Sequence, residues 1–311
     1  RRFYEPTTTT PTTSPTTTSP TTSPTTSPTT NTQCVDVTVG SANTCVVLST
    51  SELRCVGNNI NGQLGDGTNN NIDVHKTIMD NVTEVVCAED TCCVITNLGT
   101  AQCTGLNTNG QLGDGSTTNS NIYVDVVGLT DVIQLSVGGG FACALNSYKQ
   151  VYCWGGNEFG QLGNGTTVES HTPVLVAGLG DVEEISATYK HTCARLTGAG
   201  IMCWGLNDEG QLGVGDFDPR NIPVYVKASS STVVTGNIIS ISTGMYMSCF
   251  VNAANVGKCW GKNNVGQCGC GDFNAVKQYP CTNVANNAVK IACGVSTCSV
   301  ILNTGNVRSW G

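Results

Sequence analysis

The sequence predicts an all-β fold: a disulfide-stapled β-propeller of about six blades, preceded by an extended, polyproline-II-like tail. Three observations carry that expectation. The phrase Gly-x-Asn-x-x-Gly-Gln-Leu-Gly-x-Gly recurs at 57–67, 105–115, 155–165 and 205–215, and in altered form at 261–271, where Cys268 replaces Leu. Its leading glycines step by 48, 50, 50 and 56 residues, and a period near 50 belongs to a solenoid or a propeller. Cysteines stand ten apart in five repeats, as Cys45/Cys55, Cys93/Cys103, Cys143/Cys153, Cys193/Cys203 and Cys249/Cys259.

In chain order, the first element is the tail. Residues 7–30 are only Thr, Ser and Pro, with no apolar side chain whose burial could offset ordering entropy. The domain boundary therefore falls between residues 1–33 and 34–311. Pro6, Pro11, Pro15, Pro20, Pro24 and Pro28 favour extended polyproline II. At ~3.1 Å per residue the segment from Pro6 to Gln33 reaches ~87 Å, more than the ~50 Å diameter expected of the domain that follows. The chain starts at Arg1, which reads as a mature or partial chain whose leader is gone.

The third repeat shows the plan of a blade. Val132–Val137 reads as a strand, Phe141–Leu145 as a second, Val151–Trp154 as a third and Pro173–Val176 as a fourth. Four short strands per ~50 residues is one propeller blade. A five-residue turn, Asn146–Gln150, joins the second and third strands, so Cys143 and Cys153 can face each other across a hairpin. The glycines of the Gly-Gln-Leu-Gly loop supply positive φ and close approach between blades, with the Leu filling the gap.

Eighteen cysteines with repeated spacing read as a disulfide framework in an oxidising compartment. Cys87/Cys92 and Cys293/Cys298 have the spacing of zinc knuckles, but they lie in separate repeats without a matching half, so these too are expected as disulfides. Cys34, Cys268, Cys270 and Cys281 remain. The expectation is that Cys281 bonds one of Cys268 and Cys270, and that Cys34 bonds the other and clamps the first blade toward the last.

On the motifs at Trp154–Gly163 and Trp204–Gly213, the chain resembles the regulator of chromosome condensation (RCC1) repeat, whose members carry Trp-Gly-x-Asn-x-x-Gly-Gln-Leu-Gly at each blade. The resemblance covers residues 34–311 and implies a β-propeller, usually of seven blades. The founding member's activity is nucleotide exchange on a small GTPase at chromatin. Its contact residues do not map onto this chain, and the cysteine staples are foreign to the nuclear members. Six strand sets stand here against five Gln-Leu-Gly stretches with their outer strands, so the sixth blade is short of its last strand.

Composition excludes several functions. A net charge of −8 argues against a nucleic-acid surface, which needs clustered Lys and Arg. No apolar run approaches the ~18 residues of a membrane helix. His75, His171 and His191 are the only histidines, and none is paired with a nucleophile at a recurring offset, so no catalytic residue is assigned and the chain reads as a non-enzyme. Asp66, Asp114, Asn164, Asp216 and Asp272 follow the Gln-Leu-Gly loops; they read as turn residues, with a bound cation as the alternative. No metal or cofactor is expected.

Covalent glycans are expected instead. O-glycosylation is assigned to Thr7, Thr8, Thr9, Thr10, Thr12, Thr13, Ser14, Thr16, Thr17, Thr18, Ser19, Thr21, Thr22, Ser23, Thr25, Thr26, Ser27, Thr29 and Thr30, and N-glycosylation to Asn81 and Asn164, which open Asn-x-Thr sequons. The unfinished blade is completed either by the chain's own Thr29–Gln33, closing the ring, or by the tail of a neighbouring molecule; the second is head-to-tail self-assembly, which gives open filaments when the rotation does not close. The expected function is an extracellular filament or surface-fibre subunit whose partners are copies of itself and glycans. The alternative is a secreted binding module (an adhesin, a lectin-like domain or an inhibitor) with exposed aromatics such as Tyr148, Phe159, Phe217 and Phe273 on one rim.

Overall fold

The computed structural model describes residues 32–198, 200–273, 276–281 and 284–311, and its large compact unit is Gln33–Gly311. The tail and its O-glycosylation positions Thr7–Thr30 lie outside the described residues.

Every regular element among the described residues is a strand, and the strands form six successive sheets. Blade 1 holds β1 (Cys34–Val39), β2 (Asn43–Leu48), β3 (Leu53–Gly57) and β4 (Ile72–Met79). Blade 2 holds β5 (Val82–Ala88), β6 (Thr91–Thr96), β7 (Ala101–Gly105) and β8 (Ser120–Asp125). Blade 3 holds β9 (Val132–Val137), β10 (Phe141–Asn146), β11 (Val151–Gly155) and β12 (Ser170–Leu175). Blade 4 holds β13 (Val182–Thr188), β14 (His191–Leu196), β15 (Gly200–Gly205) and β16 (Arg220–Tyr225). Blade 5 holds β17 (Ile238–Thr243), β18 (Met247–Asn252) and β19 (Val256–Lys262), and its outer strand is broken into β20 (Val276–Lys277) and β21 (Ala285–Asn286). Blade 6 has three strands, β22 (Ala288–Cys293), β23 (Cys298–Leu302) and β24 (Val307–Trp310). Within each blade consecutive strands pair antiparallel, the first three joined by short turns and the fourth reached through the Gly-Gln-Leu-Gly loop; in blade 5 both β20 and β21 pair with β19.

The recurring phrase is a device for joining blades. Its Asn accepts the backbone N–H of the Leu five residues on: Asn107 Oδ1 holds Leu112 N and Asn157 Oδ1 holds Leu162 N, at 2.9 and 3.0 Å. The Leu so placed is fully buried, as Leu64, Leu112, Leu162 and Leu212 all are. The Trp of the following blade then donates its indole N–H to the carbonyl of the loop's Gln: Trp154 to Gln111, Trp204 to Gln161, Trp260 to Gln211 and Trp310 to Gln267, at 2.8–3.0 Å. Gly163 sits at φ +65°, and a Cβ there would come within 2.7 Å of Trp204 Nε1, so the final Gly of Gly-Gln-Leu-Gly is required for the next Trp to dock.

The apolar cores lie between blades. One packs Phe141, Leu145, Val151 and Leu162 of blade 3 against Val182, Ile185 and Trp204 of blade 4. Inner strands add side chain to backbone bonds across the junctions: Val85 N donates to Asp36, Leu135 N to Glu84, Ile185 N to Gln134 and Ile241 N to Glu184. Five junctions are built in this way; β22 and β1 do not pack against each other as the other consecutive inner strands do.

Candidate functional site

The cysteines form eight disulfides. The five pairs spaced by ten are Cys45–Cys55, Cys93–Cys103, Cys143–Cys153, Cys193–Cys203 and Cys249–Cys259, each joining the second strand of its blade to the third. Partners lie directly opposite each other in register, with Cα atoms 4.0–4.1 Å apart. Cys55 on β3 and Cys103 on β7 are fully buried in junction cores, so these bridges are structural staples and stand away from any surface site. Cys87–Cys92 and Cys293–Cys298 link first and second strands, and Cys270–Cys281 spans the broken outer strand of blade 5.

One expectation is corrected: Cys34 bonds neither Cys268 nor Cys270, and both Cys34 and Cys268 are free. Cys268 occupies the buried Leu position of the loop, its N–H held by Asn263, and burial pushes its thiol up to about 12. Cys34 is exposed on β1. The covalent clamp from first blade to last is therefore absent. Sulfur atoms do converge at two junctions, Cys45 with Cys87 and Cys92, and Cys249 with Cys259 and Cys298. Each of these sulfurs is already bonded, Cys45 to Cys55 among them, and offers no thiolate to a metal.

The histidines do not make a catalytic set. His75 is exposed on β4, and His171 lies 3.2 Å from Glu169 at a half-buried edge. His191 departs from its expected loop position: it opens β14 and is fully buried, with Nε2 2.9 Å from Ser248 Oγ and Nδ1 without a partner. Burial pushes its pKa down to about 3, so the ring is neutral. Ser248 donates its own proton to the Gln211 carbonyl, and both residues are buried.

The acidic loop residues act as turn residues. Asp66 accepts from Asn59, Thr68 and Lys76; desolvation raises its pKa, but the bonds from Lys76 and Thr68 outweigh it and hold the group down at about 2. Asp216 pairs with Arg220 and Asp272 with Lys277, both at 2.7 Å. Asp114 and Asn164 close the same turns through Ser116 and Thr166. Of the two sequons, Asn81 is exposed in the turn after β4, whereas Asn164 is half-buried, its Oδ1 engaged by the Thr166 N–H and hydroxyl.

Two surface features remain. An axial cavity of about 350 Å3 receives one residue or more from every blade, among them Val39, Glu89, Gly139, Tyr189, Met245 and Val295. Beside it runs an alternation of rings and ammonium groups, of which the sequence singled out only Phe159. Lys190 Nζ lies 4.8 Å over Phe159, Tyr189 meets Tyr246 edge-on at 5.2 Å, and Lys262 Nζ lies 4.8 Å over Tyr246. Lys190 and Lys262 also bind Glu158 and Glu209. Of the four expected rim aromatics, Tyr148, Phe217 and Phe273 are exposed and Phe159 is half-buried, and no ring contact joins them among the described residues.

Comparison with known proteins agrees with this architecture. A family model described as the regulator of chromosome condensation (RCC1) repeat matches residues 150–195 and 201–251, and a second model of the same description matches 132–161 and 182–211. No curated protein matches the chain. Human WBSCR16 is similar in structure with a TM-score of 0.74 at 22% identity, over 85% of this chain and 70% of that one. Yeast RCC1 (Prp20), solved bound to Kap60, gives 0.74 at 17% identity, over 86% of this chain and 65% of that one. The CRINKLY WD40 ectodomain of the Arabidopsis thaliana receptor kinase ACR4 gives 0.53 at 17% identity, over 90% and 80%. The chain thus spans about two thirds of the first two. It carries RCC1 repeats on an RCC1-like β-propeller.

Proposed function

We propose that this RCC1-like propeller is a non-enzymatic extracellular structural subunit, glycosylated along its tail, that assembles head to tail into a filament or surface fibre through its N-terminal segment. The observation that carries the reading is a disulfide-stapled propeller preceded by a stretch, residues 7–30, of only Thr, Ser and Pro.

The tail's own sequence limits how it makes the contact. Its six prolines lack the N–H a ladder needs and leave only short Pro-free stretches between them. Gln33 is tied to Ser49 of its own blade by two hydrogen bonds. The reading therefore assigns the contact to the tail of a neighbouring copy. Eight disulfides suit an oxidising compartment, and the similarity to a receptor-kinase ectodomain supports use of this fold outside the cell. Removing residues 1–33 should leave a folded, monomeric propeller while the full chain forms filaments under negative stain. A truncated protein that polymerises like the full chain refutes the reading.

The ring–ammonium alternation at Phe159, Lys190, Tyr189, Tyr246 and Lys262 favours a second reading, a secreted binding module using the axial face. Glycan-array binding that survives tail removal and is lost in Tyr189→Ala, with no filament from the full chain, would select it.

A further inference from the structure

The two mouths of the propeller differ in chemistry. At one mouth the inner strands begin, and Gln33, which leads from the tail into β1, is bound there to Ser49. At the other the inner strands end in tight turns, and one residue from each turn joins a collar around the axial cavity: Ser41, Glu89, Gly139, Tyr189, Met245 and Val295. Inside the collar the wall is mostly apolar, with Val39, Val86, Val137 and Ala187. Gly139 is the one collar residue without a side chain, and it also lines a groove of about 530 Å3 with Asn109, Glu158, Thr167, Glu169 and Lys190. An apolar cavity and a polar groove thus meet at Gly139. Carboxylates outnumber ammonium groups at this mouth: Glu89, Asp90, Glu158, Glu169, Asp208 and Glu209 stand against Lys190 and Lys262. Lys190 is held by Glu158 at 3.1 Å and Lys262 by Glu209 at 2.6 Å, while Asp90 accepts from Asn61 and Gln63. Glu89 accepts no hydrogen bond among the described residues, and its carboxylate stands beside the cavity.

We infer that this cleft receives the basic, aromatic segment Arg1–Tyr4 of a second copy, with an aromatic ring in the axial cavity and an arginine on Glu89. Arg1, Arg2, Phe3 and Tyr4 are all the basic and all the aromatic residues in 1–33. No other part of the tail offers both an apolar body for the cavity and a positive charge for Glu89. One Phe or Tyr buries about 150–250 Å2, and a guanidinium pairs with a carboxylate through two hydrogen bonds while stacking on rings such as Tyr189 and Tyr246. An extended reach of ~87 Å exceeds the ~50 Å width of a propeller, so the segment can span to a neighbouring copy. The tail joins β1 at one mouth and the cleft opens at the other. The contact is therefore heterologous, and copies follow one another along the axis rather than side by side at a blade. The inference rests on the assembly reading above and names the surface that receives the tail.

The test uses the full chain secreted from a eukaryotic host. Val39→Trp fills the cavity and Glu89→Arg reverses the charge beside it. Both positions are exposed, so both variants should melt like the parent. Each should stay monomeric by light scattering under conditions where the parent forms filaments. The pair Arg1→Glu and Arg2→Glu should do the same, and adding Glu89→Arg to that pair should restore filaments. A synthetic peptide of residues 1–6 in excess should hold the parent at single particles. Glu89→Gln should weaken association about tenfold, with less effect at high salt. Filaments that persist in both Val39→Trp and Glu89→Arg overturn the docking surface and leave the assembly reading standing. A parent chain that shows only single particles at every concentration overturns both.

Discussion

Blade 4 and blade 6 share a strand plan but not a situation. Blade 4 is covered on both faces: Trp204 is fully buried, its N–H is bound to the Gln161 carbonyl, and Cys193–Cys203 lies in the core shared with blade 5. Blade 6 is covered on one face only. Trp310 makes the equivalent bond to Gln267 yet stays half-buried, and Ser299–Ser309 replaces the disulfide. The difference teaches that stability in this fold resides in junctions rather than in blades, so equal substitutions should have unequal effects.

The largest contrast is at the tryptophans. Trp204→Ala should cost about 3–5 kcal/mol in denaturant unfolding, because it opens a cavity and leaves the Gln161 carbonyl only the long bond from the Thr192 hydroxyl. Trp310→Ala should cost less than half as much, and equal losses would mean that the sixth blade is as closed as the fourth. Next comes a pair on the following-blade face. Ile95→Ala should cost about 2–4 kcal/mol and Ile301→Ala less than about 1, since only Ile95 is buried.

A third contrast lies within one inner-strand position. Burial, with the Asp36 charge adding to it, raises Glu84 from 4.5 to about 7 against the lowering bond from Leu135 N–H. A raised folded pKa means stability fully present below pH 4.5 and lost as pH rises through 7. Glu84→Gln, which copies Gln134 of the next blade, should leave stability unchanged below pH 4.5 and raise it by up to about 3 kcal/mol at pH 8. A variant whose melting curve tracks the parent across that window would show that Glu84 ionises in contact with water. The smallest effect concerns the free thiols. Cys34 should react with maleimide in the native protein and Cys268 only after unfolding, with no change in melting temperature from alkylating Cys34. Two reactive thiols in the native state would mean that the blade 5 loop opens.

What sets blade 6 apart was written in the sequence but easily passed over. Ser299 and Ser309 keep the ten-residue spacing of Cys45/Cys55 and Cys93/Cys103, and Lys290 stands in register with Asp36, Glu84 and Glu184. Aligning the sixth repeat position by position exposes both substitutions. The Tyr189–Tyr246 contact left no such signal, because the two residues hold non-equivalent positions in adjacent repeats. His191 looked like a loop residue because it adjoins the turn, yet the neighbouring β18 closes over it.

By itself the sequence determined the all-β class, the four-strand blade, the function of Gly-Gln-Leu-Gly as a loop that fills gaps, and seven disulfides. These rest on local physics: a period, a turn length, a φ that only glycine tolerates, and two cysteines flanking one hairpin. Only the tertiary structure decided that Cys34 and Cys268 stay unpaired, that His191 is buried and neutral, and that the sixth junction stands open. Each of those depends on which blade lies against which face, a long-range packing outcome that spacing along the chain does not encode.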